Sequence, residues 1–376
     1  MKGCDVLIVG GGPAGSACAW RLRRAGLAVR VLDRARFPRD KVCAGWITPP
    51  VLEELEIDPE EYRKDRVLQP VRGFAVGLLG GASARVDYGE VVSFAIRRCE
   101  FDHHLLARSQ AALEPGVKVG SLRRAGGRWI VNEAFEAGLL VGAGGHFCPV
   151  ARELNGSPAA PEPLVTAQEV EFLLGPRERR ACSVAPELPE LYFSRDLRGY
   201  GWAVRKGDFL NVGLGRQDPR GLASHVESFL RELERLGALP PGAPARLRGH
   251  AYRLYGAQPR RMVGDGVLLL GDAAGLADPH SGEGIRPAVE SGLLAAHAIA
   301  NARGDWSRAG LEGYASALAQ RFGRAPGRSS PGPASFLPGR LRPWLAGRLL
   351  SSPWFARRVV LDRWFLHRAQ AALAPG

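Results

Sequence analysis

Two groups of residues, far apart in the chain, have the types and spacing for chemistry. Gly10-x-Gly12-x-x-Gly15 follows the apolar run Val6-Leu-Ile-Val9 and leads into a helical stretch expected from Ser16 to Ala25. Glycines there permit a tight turn and a close backbone approach. With Pro13 and Ala14 they would seat a pyrophosphate on the N–H groups of a helix start. After Gly26 a second apolar run, Val29-Arg-Val-Leu-Asp33, ends on an acid at the position that bonds a ribose hydroxyl, with Arg34 beside it. Glycines alone also suit plain packing, but here strand, helix, second strand and acid fall in order. The second group, Val267-Leu-Leu-Leu-Gly271-Asp272, repeats a strand that ends on glycine and carboxylate. Both suit a dinucleotide.

These residues need elements to hold them, and the hydropathy pattern supplies a coarse set. Residues 1–72 read as a first strand-helix-strand unit with a connecting segment. Phe74-Ala-Val-Gly-Leu78 and Arg85-Val-Asp-Tyr88 read as short strands of a second sheet. A helix is expected to open at Ala95, and Leu139 to Gly144 reads as a buried parallel strand returning to the nucleotide unit. From Leu164 to Tyr255 apolar and polar residues alternate between turns, as in an antiparallel sheet on the substrate side. Residues 260–303 return to the nucleotide unit, and a proline-rich hinge, Pro326 to Pro343, precedes a tail. The expected fold is α/β, a Rossmann-like domain (1–72, 96–160 and 258–325) interleaved with an antiparallel-sheet substrate domain (73–95 and 161–257). C-terminal helices occupy 326–376.

Composition limits the alternatives. With 376 residues and 45% hydrophobic content, the chain can bury a large core. No run approaches the roughly 20 apolar residues of a membrane span, and the first strand begins too early for a cleavable signal. Cysteines at 4, 18, 43, 99, 148 and 182 form no CxxC pair, as in a cytoplasmic chain with reduced thiols and no metal site. His103 and His104 are adjacent, so they point apart on a helix and read as surface and packing. The net charge of +13 is mostly scattered arginine, without a nucleic-acid module, so no nucleic-acid partner is expected. Its concentrated part is 328–368, with eight arginines, one acid (Asp362) and Trp344, Trp354 and Trp364. That stretch reads equally as a peripheral contact with anionic membrane or as helices packed on the protein with arginines outward.

The paired motifs resemble those of FAD-dependent oxidoreductases of the p-hydroxybenzoate hydroxylase-like superfamily. Within it the chain is similar to the geranylgeranyl reductase family, through Pro38-Arg-Asp-Lys-Val-Cys-Ala-Gly45, Gly199-Tyr-Gly-Trp-Ala-Val-Arg-Lys-Gly-Asp-Phe-Leu-Asn-Val-Gly213 and Gly271-Asp-Ala-Ala-Gly-Leu-Ala-Asp-Pro279. The resemblance implies that Asp272 bonds the ribityl chain and that Arg98 lies against FAD. It also implies that Gly282, Gly284 and Ile285 open a helix facing the flavin pyrimidine edge. A helix N-terminus there stabilises the negative charge of reduced flavin near N1 and C2=O. Cys43, Ala44 and Gly45 match the family's Cys-Gly-Gly run beside the flavin, so Cys43 is either a proton donor or a small buried residue that admits the ring. Trp46, Tyr200, Trp202 and His280 are the expected substrate walls. Tyr200-x-Trp202 continues as Ala-Val-Arg205 where family members have Phe-Pro.

The resemblance implies reduction of carbon–carbon double bonds in an apolar, prenyl-like substrate by hydride from flavin N5. No second glycine fingerprint is complete, so NAD(P)H or a reduced carrier protein is the expected transient donor. Two other readings stand beside it, a class A monooxygenase on an aromatic or polyketide-like compound and a flavin-binding electron-transfer module without turnover. Gly144 occupies the place of the acid in the hydroxylases' Asp-Gly motif, and the halogenases' paired tryptophans are absent, which disfavours both chemistries.

Overall fold

Runs that are apolar without alternation make strands covered on both faces. In the computed structural model, which describes residues 1–156, 164–243, 246–257, 259–323 and 341–374, Val6, Leu7, Ile8, Leu139, Leu140 and Val141 are wholly buried. They lie in a parallel array ordered Val267–Leu269, Phe135–Gly142, Lys2–Val9, Val29–Asp33 and Ala112–Pro115. Its opening helix, Pro13–Arg24, starts earlier than the expected Ser16. Proline suits a first helical position because it has no N–H to leave unpaired, so the glycine turn runs straight into the helix. The long helix Ile285–Asn301 crosses it closely enough that a Cβ on Gly292 would stand 2.3 Å from the Ala14 carbonyl oxygen. That contact brings two helix N-termini to one edge of the sheet.

The alternating stretch forms a mainly antiparallel sheet of seven strands. Its order is Arg248–Tyr252, Val165–Leu173, Phe209–Arg216, Gly199–Lys206, Glu190–Phe193, Gly73–Leu78 and Ser83–Asp87. A small ribbon of Trp46–Ile47, Ser93–Ile96 and Leu68–Val71 links it to the parallel sheet. Two sequence expectations need correcting. The helix expected from Ala95 begins at Arg98, because residues 93–96 pair as a strand in the ribbon. The strand expected from Leu139 begins at Phe135, because Arg128–Val131 extends it as a hairpin.

The tail from 341 continues as helix. After Leu341–Leu350 and Pro353–Phe355 it widens into a π-helix, Ala356–Phe365. Ala356, Val360, Leu361, Phe365 and Leu366 are buried in one apolar cluster with Phe74, Val76 and Trp202. Trp344 and Trp354 stay 59% and 69% exposed. The expected hinge lies, up to residue 340, outside the described residues. Among the described residues no helix is long and apolar enough to cross a membrane.

Candidate active site

A cavity of about 800 Å³ runs from the carboxyl edge of the parallel sheet to the antiparallel sheet. Its nucleotide end is backbone. Gly10, Gly12, Pro13, Ala14, Asp33 and Arg34 line it. A Cβ on Gly10 would come within 2.3 Å of the Ala143 carbonyl oxygen, so the turn has no space for a side chain. Gly15 lies outside the wall; its Cβ would meet Gly10 O at 1.9 Å, and its work is seating the helix on the turn. Asp33 is fixed by its neighbours, accepting Gly11 N–H at Oδ2 and Ala35 N–H at Oδ1, both at 2.8 Å. Arg98 also lines the cavity and holds the fully buried Asp102 through two 2.8 Å bonds, joined by Arg39 at 3.0 Å. Burial opposes the charge on Arg98, and Asp102 outweighs it, so the guanidinium stays ionised.

In the middle, Asp272 projects from the turn after Val267–Leu269, while Gly271 packs behind it against Ala14 and Ala288. Its Oδ2 lies 3.9 Å from Lys41 Nζ and 3.6 Å from His250 Nε2, and Lys41 Nζ contacts His250 Nε2. Burial would raise the Asp272 carboxyl, but His250 and Lys41 overcome it and hold it at about 2. Burial also brings Lys41 down to about 8, against the pull of Asp272. Neither Lys41 nor His250 was singled out from sequence. Lys41 sits inside the 38–45 motif, and His250 carries no local signal.

The far end is aromatic and rests on a buried polar network. Cys43, Ala44, Gly45, Trp46, Tyr200 and Trp202 line it. Glu169 Oε2 accepts Cys43 N–H at 2.8 Å, and Asn211 Nδ2 donates to Cys43 O at 3.4 Å and to Glu169 and Glu171 at 3.2 Å. Trp202 Nε1 donates to Asn211 Oδ1 at 2.7 Å, and the wholly buried Lys206 donates to Glu171 at 2.7 Å. One network therefore orients both the thiol loop and a wall tryptophan. Burial pushes the Glu169 carboxyl up to about 7. Strand alternation in Val165–Leu173 places Glu169 and Glu171 on one face, the signal in the sequence that points to this pair.

Phe365, on the C-terminal π-helix, packs 5.8 Å from Trp46 and 5.3 Å from Tyr200, between ring centroids. Nothing local in the sequence announces it. Gly282, Gly284 and Ile285 line the cavity at the start of the long helix. His280 does not, which corrects its expected place in the substrate wall. Asp278 Oδ1 accepts the His280 and Ser281 N–H groups at 2.8 Å each, and the ring, 56% exposed, stacks on Trp364 at 5.5 Å.

A glycine turn with an acid closing the next strand, joined by a second strand-to-carboxylate turn and a helix start in one cavity, is the arrangement of an FAD-dependent oxidoreductase. Residues 5–76 match the family described as FAD dependent oxidoreductase. The chain is 30% identical over 353 residues to menaquinone reductase of Mycobacterium tuberculosis, covering 85% of this chain and 81% of that protein. It is 30% identical over 314 residues to geranylgeranyl diphosphate reductase of Rhodobacter capsulatus, covering 78% and 74%. In fold it is similar to a geranylgeranyl bacteriochlorophyll reductase-like protein of Thermoplasma acidophilum, with TM-score 0.77, 21% identity and 98% of each chain covered. The chain belongs to the geranylgeranyl reductase family of FAD-dependent oxidoreductases.

Proposed function

We propose that the enzyme reduces carbon–carbon double bonds of an apolar, isoprenoid-like substrate lying against Trp46, Tyr200 and Trp202. The observation that carries this reading is the continuity of one cavity from glycine turn to aromatic wall. The residues present fit FAD: a turn that at Gly10 admits backbone approach but no Cβ, a fixed acid at Asp33, and a carboxylate at Asp272 held ionised. Gly10, Gly12, Pro13 and Ala14 would bind the pyrophosphate, with Gly15 seating the helix behind them, and Asp33 and Arg34 the adenosine ribose. Arg98, Asp272 and the Cys43–Gly45 loop would line the rest, with the helix start at Gly282, Gly284 and Ile285 facing the ring. When bound, FAD supplies the hydride.

The aromatic wall excludes water and orients the alkene. Cys43 Sγ holds the proton for the second carbon, on a loop fixed by Glu169 and Asn211. Electrons arrive from NAD(P)H or a reduced carrier that docks transiently. Trp344, Leu349 and Trp354, exposed beside Arg348, Arg357 and Arg358, would rest on an anionic lipid surface at the cytoplasmic face, where such substrates dissolve. Anaerobic turnover of a polyprenyl substrate with reduced donor tests the reading. The product should gain two hydrogens per double bond, and Cys43→Ala should keep its FAD while losing turnover. Oxygen consumption stoichiometric with a hydroxylated product would overturn it in favour of a monooxygenase. Bound FAD that turns over neither way would leave an electron-transfer module.

A further inference from the structure

Glu283 stands on the cavity wall between Gly282 and Gly284, on the turn into the long helix. Its carboxyl is divided. Oε1 accepts Arg286 N–H at 2.8 Å, one of the free donors of the helix's first turn. Oε2 is buried and has no hydrogen-bond partner. A buried carboxylate with an orphaned oxygen is costly, whereas the neutral acid carries no charge to desolvate. The surroundings do not neutralise an ionised form. Asp278 on the same turn and Glu290 on the helix are like charges, and Arg286 is bonded through Nε to Glu290 at 2.7 Å. Facing the turn from other elements are Asp272, Tyr200, Tyr252, and His367, which lies 3.8 Å from Asp278. Burial, joined by Glu290 and Asp278 and opposed by the Arg286 N–H and charge, pushes the Glu283 carboxyl up to about 7.

The position makes this matter. A helix N-terminus favours negative charge, and an ionised Glu283 at that same end cancels the benefit. We propose that Glu283 takes up a proton when FAD bound in this cavity is reduced, so that the helix start beside the cofactor sheds its own negative charge as the ring gains one. The inference rests on the FAD reading above. Its balance is simple: two electrons from the donor and one proton from solvent reduce the ring, and a second proton from solvent goes to the carboxyl instead of the ring. The donor is oxidised by those two electrons, and the carboxyl changes protonation only.

The test is the midpoint potential of the purified holoenzyme as a function of pH, for wild type and Glu283→Gln, titrated with dithionite. Glutamine keeps the acceptor for Arg286 N–H but cannot take up the proton. Above about pH 7, where the carboxyl is ionised before reduction, the wild-type slope should correspond to two protons per two electrons and the variant's to one, a twofold difference. Equal slopes overturn the proposal. A reduced-minus-oxidised infrared difference spectrum of the wild type gives an answer that needs no variant: a new carboxylic acid C=O band supports the proposal and its absence at that pH overturns it. Protein that binds no FAD at any pH would instead bring down the underlying reading, and this inference with it.

Discussion

The two ends of the cavity are built on opposite principles. The nucleotide end centres on the stretch 10–34, with Arg39, Arg98 and residues 143–145 beside it, and its turn depends on side chains being absent at Gly10 and Gly15. The aromatic end gathers Trp46, Tyr200 and Trp202 from distant segments, backs Trp46 and Tyr200 with Phe365, and fixes Trp202 and the Cys43 loop through Asn211 and Glu169. The first has no slack at Gly10 and Gly15, where a Cβ would stand 2.3 and 1.9 Å from a carbonyl oxygen, whereas at Gly12 it would meet only Arg39 at 3.6 Å. The second should tolerate conservative change, because its geometry is shared among many contacts, yet it answers to residues more than a hundred positions away.

The sharpest attempt to break this contrast is Gly15→Ala. A methyl 1.9 Å from Gly10 O forces helix and turn apart. The expected cost is more than about 4 kcal/mol, with flavin absent from the purified protein by absorbance. A yellow, stable variant would show that the turn does have slack. Next comes Phe365→Ala, which empties a buried site between Trp46 and Tyr200. Urea unfolding should show a loss of about 3–4 kcal/mol, while the protein purified at low temperature still carries FAD. Flavin lost in proportion to stability would mean that the two ends are not separable.

A smaller effect is expected from Glu169→Gln. The folded carboxyl sits at about 7 and the unfolded one near about 4.3. The folded state therefore binds the extra proton, so the contribution of Glu169 to stability is full below about 4.3 and is lost as pH rises through about 7. The variant should lack that decline and be level with or above wild type at pH about 8, by about 1–2 kcal/mol at most. Parallel stability curves would remove Glu169 from the account of the far end. Smallest for the fold is the double change Trp344→Ala and Trp354→Ala, which lies outside both ends. Stability should stay within about 0.5 kcal/mol, while cosedimentation with anionic vesicles falls. Unchanged, salt-insensitive binding would leave those tryptophans without a role at a lipid surface.

The same contrast governs what could be read from the chain. The glycine turn, Asp33 and the Gly271-Asp272 turn are legible because their chemistry is local: the residues that make the contact are those that make the turn. Tyr200 and Trp202 are legible as aromatic residues on a strand, but not their dependence on Asn211 or on the loop carrying Cys43. Phe365 shows why. Its neighbours come from residue 46 and residue 200, and no periodicity in 356–366 announces such a contact. His280 failed for a different reason, since the Asx-type turn at Asp278 points its ring away from a cavity that its immediate successors enter.

The crossing of Pro13–Arg24 by Ile285–Asn301 has a consequence for how the chain is made. Ala14, Ala17 and Cys18 are buried, with Gly292 set against the Ala14 and Cys18 backbone, yet the covering helix follows about 260 residues later. At about 5–20 residues per second, a nascent chain carries that apolar helix face uncovered for roughly a quarter of a minute to nearly a minute. The whole antiparallel sheet is synthesised in the interval. The nucleotide half is thus begun first and closed late, and its first helix waits for its covering partner until the antiparallel sheet has been made.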